Sequence, residues 1–462
     1  MPSIDHRLSE ADASFVSMGE ATGTPAVPVA IAVYERKFDD PFVMEHMYEV
    51  MCRLLPAMRQ RIAQDRASTA LPRWEEVPGF EIDDLIMTLP APGDGTMRAV
   101  LDWAQEWARH QLAEGMPPWR CVYFEDVTVD GVPGRMVMVS QFHHAIIDGQ
   151  GASALAHHYY QWGPDEGLPE LPPMPEPAPR HTAFEHWKAG WALEGQKVAG
   201  LARNTAARLR WAASAPSAGL TRAKERVQAL SRMAGQQGKE SMSPLLRRTS
   251  ERNRFDHLAI DLDALRAGSR SVGASANDGL MAAVSLALHR YHVDHGIKVR
   301  NLRTLMPINT RAGDGYSGNE ITAAVMMLPL LADVDTAVKE CQALSRQHRD
   351  DTDVLRVTEG FLGLTNRLPT PLLKRLMDSM MGVDLSVSNV KGIPLRHWVA
   401  GVEVLETMPF LIGGPAVAIT LVSLPDHASV GVVTCPEAIP DPEHLMFRLR
   451  EAFDEVSALA SA

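Results

Sequence analysis

Between Gly163 and Arg180 the chain carries seven prolines and four acidic residues, with no apolar periodicity. That composition favours an extended linker over a packed element. It divides 462 residues, more than one core usually accommodates, into two folding regions. N-terminal to it, strand patterns fall at 26–34, 120–124 and 135–142, and helical patterns at 42–64, 97–112 and 149–162. The last two strands flank Asp130-Gly131-Val132-Pro133-Gly134, which has hairpin chemistry. C-terminal to it, helical patterns at 184–213 and 221–235 precede a second mixed region. Strands are expected there at 257–262, 301–307, 321–328, 385–390, 416–424 and 429–435, and helices at 278–292, 334–349, 370–381 and 442–458. The chain therefore reads as α/β, with mixed (α+β) sheets under helices in each half. Its expected divisions are 1–180, a basic helical connector at 181–255, and 256–462.

The four cysteines are scattered and form no C-x-x-C pair, which argues against a disulfide framework or a zinc site and for a reducing, cytoplasmic setting. Met1 to Arg7 contain no apolar h-region, so no secretory signal is expected. Thr407 to Pro425 run without a charge, but Pro409, Gly413, Gly414 and Pro415 interrupt them; residues 416–424 read as a buried strand and not as part of a membrane span. The net charge is −12, yet residues 188–254 hold 14 Lys/Arg against 4 Asp/Glu. An acidic protein with one basic segment is a poor nucleic-acid binder. That segment interleaves Trp187, Trp191, Leu201 and Trp211 with Lys and Arg. It reads equally as an interfacial helix meeting anionic lipid and as a solvated helix packed on the domain.

The chemistry concentrates in Gln141-Phe142-His143-His144-Ala145-Ile146-Ile147-Asp148-Gly149. A histidine at a strand end beside a sharp turn suits general-base work, because imidazole titrates near neutral pH. Adjacent strand side chains point to opposite faces, so the two histidines are not expected to share a metal ion. Gly149-Gln150-Gly151-Ala152-Ser153-Ala154 fits a degenerate dinucleotide fingerprint, but a proline-rich linker follows instead of a second parallel strand. His157-His158 lacks the Asp-Gly turn, and His292 and His295 sit at a helix end, where they complement its dipole. No G-x-S-x-G elbow or P-loop occurs. Asn277-Asp278 precedes an apolar helix; one of the two is expected to cap it and the other to face a site. Arg311 follows a strand, with a guanidinium suited to bidentate pairing with a carboxylate.

His143-His144-x-x-x-Asp148-Gly149 resembles the HHxxxDG signature of the CoA-dependent acyltransferases. An ordered set of further blocks is similar to the bacterial wax ester synthase/diacylglycerol acyltransferase (WS/DGAT) family. These are Leu8-Ser9-Glu10-Ala11-Asp12-Ala13-Ser14-Phe15, Pro117-Pro118-Trp119, Asn277-Asp278, Pro307 to Arg311, Gly318-Asn319-Glu320, Ser388-Asn389-Val390, and Pro409 to Val456. Pro118 stands where the family has Leu, and Arg120 where it has Glu.

The resemblance implies two chloramphenicol acetyltransferase-like subdomains with a tunnel between them. It implies acyl-CoA as a substrate, no cofactor and no metal, and diacylglycerol or a long-chain alcohol as acceptor. His144 would be the base in a direct attack without an acyl-enzyme, with His143, Asp148, Gly149 and Asn277 completing the site. Arg311, paired with Asp148, and Asp278 would support it, and Pro118, Trp119 and Gln141 would line the substrate channel. The protein would work in the cytoplasm, peripheral at the inner membrane or lipid droplets. Two alternatives stay open: a related acyltransferase using a carrier-protein donor or another alcohol, and a noncatalytic lipid-binding scaffold.

Overall fold

The computed structural model describes residues 7–22, 27–64, 71–147, 149–175, 240–309, 321–350, 372–375 and 382–461, and scattered positions between 182 and 203. Helix α1 (Glu10–Thr22) leads to strand β1 (Val29–Tyr34) and helix α2 (Val43–Leu54). The helix expected over 42–64 stops at Leu54 because Pro56 forces Leu55 into extended backbone. Residues beyond it form β2 (Gln60–Ala63), which pairs with β3 (Arg73–Glu76). Then come β4 (Ile86–Pro90), α3 (Met97–Trp107), β5 (Trp119–Val129), β6 (Val132–Phe142) and α4 (Gly149–Leu155). Asp130 and Gly131 join β5 to β6 with φ of 50° and 79°, the left-handed pair that a two-residue hairpin loop requires.

The second region contains β7 (Arg254–Ile260), α5 (Leu262–Ser271), α6 (Ala276–Asp294), β8 (Asn301–Asn309), β9 (Ile321–Pro329) and α7 (Val334–Asp350). It ends with β10 (Leu385–Val390), β11 (Trp398–Val399), β12 (Val402–Phe410), β13 (Val417–Ser423), β14 (Ala428–Thr434) and α8 (Pro442–Ala458). The expected helix at 370–381 lies largely outside the described residues, as does most of the basic connector.

One sheet runs β11-β12-β1-β6-β5-β4 and the other β7-β14-β13-β10-β8-β9. The sheets do not follow the division expected at residue 256: β11 and β12 complete the first sheet, and β12 pairs antiparallel with β1. The uncharged stretch from Thr407 to Pro425 is thus split, its start ending β12 and residues 417–423 forming β13 of the other sheet. No helix among the described residues is long and apolar enough to cross a membrane.

The two sheets share a core. Val29, Ile31, Val122, Met408 and Phe410 of the first pack with Phe255, Ala418 and Val433 of the second. The Phe255 and Phe410 rings stack at 4.5 Å and 7°. At Gly431 a Cβ would collide with the Pro409 carbonyl, so only glycine lets β12 cross β14 this closely. From α3, Arg98 donates to Asp256 (2.9 Å) and to the Phe255 carbonyl (2.8 Å), while Gln105 accepts from the Phe255 amide (3.1 Å). These contacts tie α3 to β7 of the second sheet.

Candidate active site

β6 lies between β1 and β5 and ends at Phe142, so the residues after it leave a strand held on both sides. His143 begins the turn: its amide donates to the Pro118 carbonyl (2.9 Å), and its carbonyl accepts from Ile146 N (2.9 Å). Its Nδ1 accepts from the Ala145 amide at 3.1 Å, which places the ring proton on Nε2. Burial, with His144 adjacent, pushes its pKa down to about 4. His143 is therefore a neutral brace for the turn.

His144 is half-buried, and its ring stacks on Phe15 of α1, with centroids 4.9 Å apart and planes at 23°. Gly149 opens α4. Asp148 and Arg311 lie outside the described residues.

The Pro117-Pro118-Trp119 block serves the core. Trp119 exposes 0% of its surface; it stacks on Tyr48 at 4.8 Å and donates through Nε1 to the Met58 carbonyl at 2.8 Å. Gln141 is 1% exposed, its Oε1 taken by Arg120 Nε at 2.8 Å, and Pro118 is buried beneath the His143 amide. The residues expected to line the substrate channel, Trp119, Pro118 and Gln141, are thus all buried in the packing around β5 and β6.

From the second sheet, Ser275 caps α6 in a reciprocal box with Asp278. Asp278 Oδ2 accepts from Ser275 N (2.9 Å) and Oγ (2.7 Å), and Ser275 Oγ accepts from Asp278 N (3.3 Å). Asp278 is thus the buried capping residue. Asn277, half-buried, accepts a 3.5 Å contact from Asn389 Nδ2 near the end of β10. Just beyond that strand, the Lys391 carbonyl accepts from Ser153 Oγ of α4 at 2.8 Å. The helix following the histidine turn is thereby bonded to the segment that continues from Asn389. Asn277 and the helix after the histidine turn each contact the segment around the end of β10.

Phe15, Ser153 and Asn389 were not singled out as site residues from the sequence. Phe15 had a signal: Ser9 and Asp12 form a capping box at the start of α1 (Ser9 Oγ to Asp12 Oδ2 2.7 Å, Asp12 N to Ser9 Oγ 3.0 Å). Asn389 lay in the Ser388-Asn389-Val390 block, but its contact with Asn277 is far away in the chain, and Ser153 had no signal because its partner Lys391 is equally distant.

The two-sheet architecture matches that of a wax ester synthase/diacylglycerol acyltransferase from Marinobacter aquaeolei, with a TM-score of 0.63 and 17% identity, over 99% of this chain and 100% of that one. The first condensation domain of the calcium-dependent antibiotic synthetase shares it with a TM-score of 0.59 and 15% identity, over 99% and 97% of the two chains. The fold is therefore the two-subdomain, chloramphenicol acetyltransferase-like class. Within it, the wax ester synthase/diacylglycerol acyltransferase catalytic domain matches residues 8–280, and the WS/DGAT C-terminal domain matches 317–457. A Mycobacterium tuberculosis protein named as a diacylglycerol O-acyltransferase is 28% identical over 427 residues, covering 89% of this chain and 84% of its own. The O-acyltransferase WSD of Acinetobacter baylyi is 23% identical over 398 residues, covering 82% and 81%. The chain belongs to the wax ester synthase/diacylglycerol acyltransferase family and is an acyltransferase.

Proposed function

We propose that the protein transfers a long-chain acyl group from acyl-CoA to the hydroxyl of diacylglycerol or a long-chain alcohol, with His144 as general base. The observation that carries this reading is the position of His144. It is half-buried in a turn at the end of a central strand, and α4 leads from that turn to the second sheet. An imidazole nitrogen takes the acceptor's proton as its oxygen attacks the thioester carbonyl carbon. The tetrahedral intermediate then collapses, the C–S bond breaks, and the imidazolium returns the proton to the departing thiolate. No acyl-enzyme forms. Asn277 orients the acceptor or the oxyanion, and Asp148 pairs with Arg311 to hold the turn.

The acceptors are lipids, so the protein works at a lipid surface. Phe184, Trp187 and Trp191 support this: they are 68%, 42% and 53% exposed, Phe184 stacks on Trp187 at 5.9 Å, and Trp187 meets Trp191 edge-on at 6.3 Å. A capping box between Thr182 and Glu185 starts the helical turn that carries them. An aromatic row beside a segment rich in Lys and Arg is the pattern of an interfacial helix.

The test is thiol release from palmitoyl-CoA with diacylglycerol, hexadecanol or no acceptor, with the lipid products resolved by thin-layer chromatography. Acceptor-dependent release with a matching ester is expected; release without an acceptor, or none with either, overturns the reading. Flotation with anionic vesicles tests the surface contact: the intact protein should float, and a protein with Phe184, Trp187 and Trp191 changed to Ser should not. Equal flotation removes this role.

A further inference from the structure

We propose that Phe15 is a positioning residue for His144. The inference rests on the reading of His144 as the base. The Phe15–His144 stack at 4.9 Å and 23° is held from several sides. The Ser9–Asp12 box fixes the first turn of α1. Ala13, one turn along, packs with Leu8, Leu71 and Ala145 in a small buried cluster. Ala145 is the residue after His144, so the cluster clamps α1 onto the turn that carries the histidine. Upstream, Leu8 N donates to the Pro72 carbonyl at 2.9 Å, and Arg7 bridges to Arg73. The N-terminal segment is thus anchored beside the motif it touches.

Two physical effects follow. The terminal torsion of a histidine is broad, so a flat neighbour against one face narrows the range over which the ring nitrogens swing. The imidazolium formed as the proton moves also gains attraction from the aromatic face, because a cation within about 6 Å of a ring centroid is stabilised by its quadrupole. That gain arises as charge develops, so it lowers the barrier without tightening substrate binding. It should therefore appear in kcat and not in KM.

The experiment compares Phe15→Leu, Phe15→Tyr and His144→Ala with the full-length wild-type chain, using palmitoyl-CoA and the better acceptor. Phe15→Leu should lower kcat about tenfold with both KM values within about twofold of wild type. Phe15→Tyr, which keeps the face, should restore at least half of the lost turnover. Wild-type kcat in Phe15→Leu, a loss confined to KM, or an equal loss in Phe15→Tyr overturns the proposal. If Phe15→Leu fails to fold, Phe15→Met replaces it under the same criteria. Full turnover by His144→Ala overturns the base assignment, whereas its loss alongside an unaffected Phe15→Leu overturns only the role of Phe15.

Discussion

Arg120 Nε donates to Gln141 Oε1 at 2.8 Å, and the two residues stand directly opposite in the β5–β6 pair. The same guanidinium donates to the carbonyls of Trp107 (2.8 Å) and His110 (2.7 Å) and lies 4.1 Å over the Trp107 ring. Burial lowers its pKa to about 10, so it remains charged at neutral pH. Arg120 ties the strand leading to the histidine turn to the end of α3. It does so at the position where the family pattern carries Glu.

Replacing Arg120 should therefore destabilise the fold more than it alters chemistry. Arg120→Met removes charged hydrogen bonds from three acceptors, and urea unfolding should show a loss of about 2–3 kcal/mol. Arg120→Glu should lose at least as much, since a carboxylate would face three acceptor oxygens. Wild-type stability in Arg120→Glu would mean that these contacts carry no weight.

The two adjacent histidines should separate cleanly by mutation. His144→Ala should lose roughly 10²–10⁴-fold in kcat while keeping its melting temperature. His143→Asn can still accept from the Ala145 amide and should keep most turnover. Because burial pushes His143 down to about 4, its ring stays neutral from pH 5 to 8. An acid limb in kcat/KM across that window should survive in His143→Asn, and its disappearance would contradict the brace role. The sign for stability also follows: a depressed histidine pKa costs stability as pH falls below about 6.5, where the unfolded ring gains its proton first.

In the proposed function Asp148 pairs with Arg311 to hold the turn, and mutation tests that pairing. Asp148→Asn should lower stability by roughly 3–5 kcal/mol together with activity, and Arg311→Met should add little to it because both remove the same contact. Differential scanning fluorimetry of the two single variants and the double variant reads this directly. Unchanged melting with lost turnover would move Asp148 into the chemistry.

A pH-dependent contact crosses the two sheets. Glu406 of β12 accepts from His427 Nε2 at 2.8 Å, and His257 Nε2 lies 3.9 Å from the same carboxylate oxygen. The bond to Glu406 raises the His427 pKa against partial burial. Burial works to raise the Glu406 carboxyl, but His427 and His257 outweigh it and hold it low. His427 therefore adds stability below its unfolded pKa of about 6.5, and this is lost as pH rises through the higher folded value. His427→Gln should cost up to about 1 kcal/mol at pH 5.5 and clearly less at pH 8.5 in chemical denaturation. Equal costs at the two pH values would refute the coupling.

Ala400 carries φ +48° in the two-residue loop between β11 and β12, followed by Gly401 at +76°. A Cβ in that region is strained, so Ala400→Gly should gain about 1 kcal/mol and melt a few degrees higher. A lower melting temperature would show that the methyl group contributes packing worth more than the strain.

Much of the fold was legible locally. The 442–458 helix begins and ends where its periodicity does, with Pro442 at a position where no amide bond is lost. The Asp130-Gly131 loop follows from turn chemistry alone. β12 went unread even though Val402, Val404, Met408 and Phe410 alternate inward, because Pro409 argues against a strand. Its neighbour β11 reaches only Val402 and Glu403, so Pro409 lies where β12 is an edge and no ladder bond is lost. The enclosure of Trp119 was not legible because it depends on Tyr48 and Met58, which no spacing connects to it.

By itself the sequence determined the kinds of element, the mixed α/β class and the histidine turn with its neighbouring Asp-Gly. These rest on backbone and turn preferences that act over a few residues. Only the tertiary structure decided that β12 completes the first sheet, that Arg120 and Gln141 close on each other, and that Phe15 lies against His144. Those meetings are chosen by which apolar faces bury together and which polar atoms then find partners across the buried seam, and both depend on the whole chain.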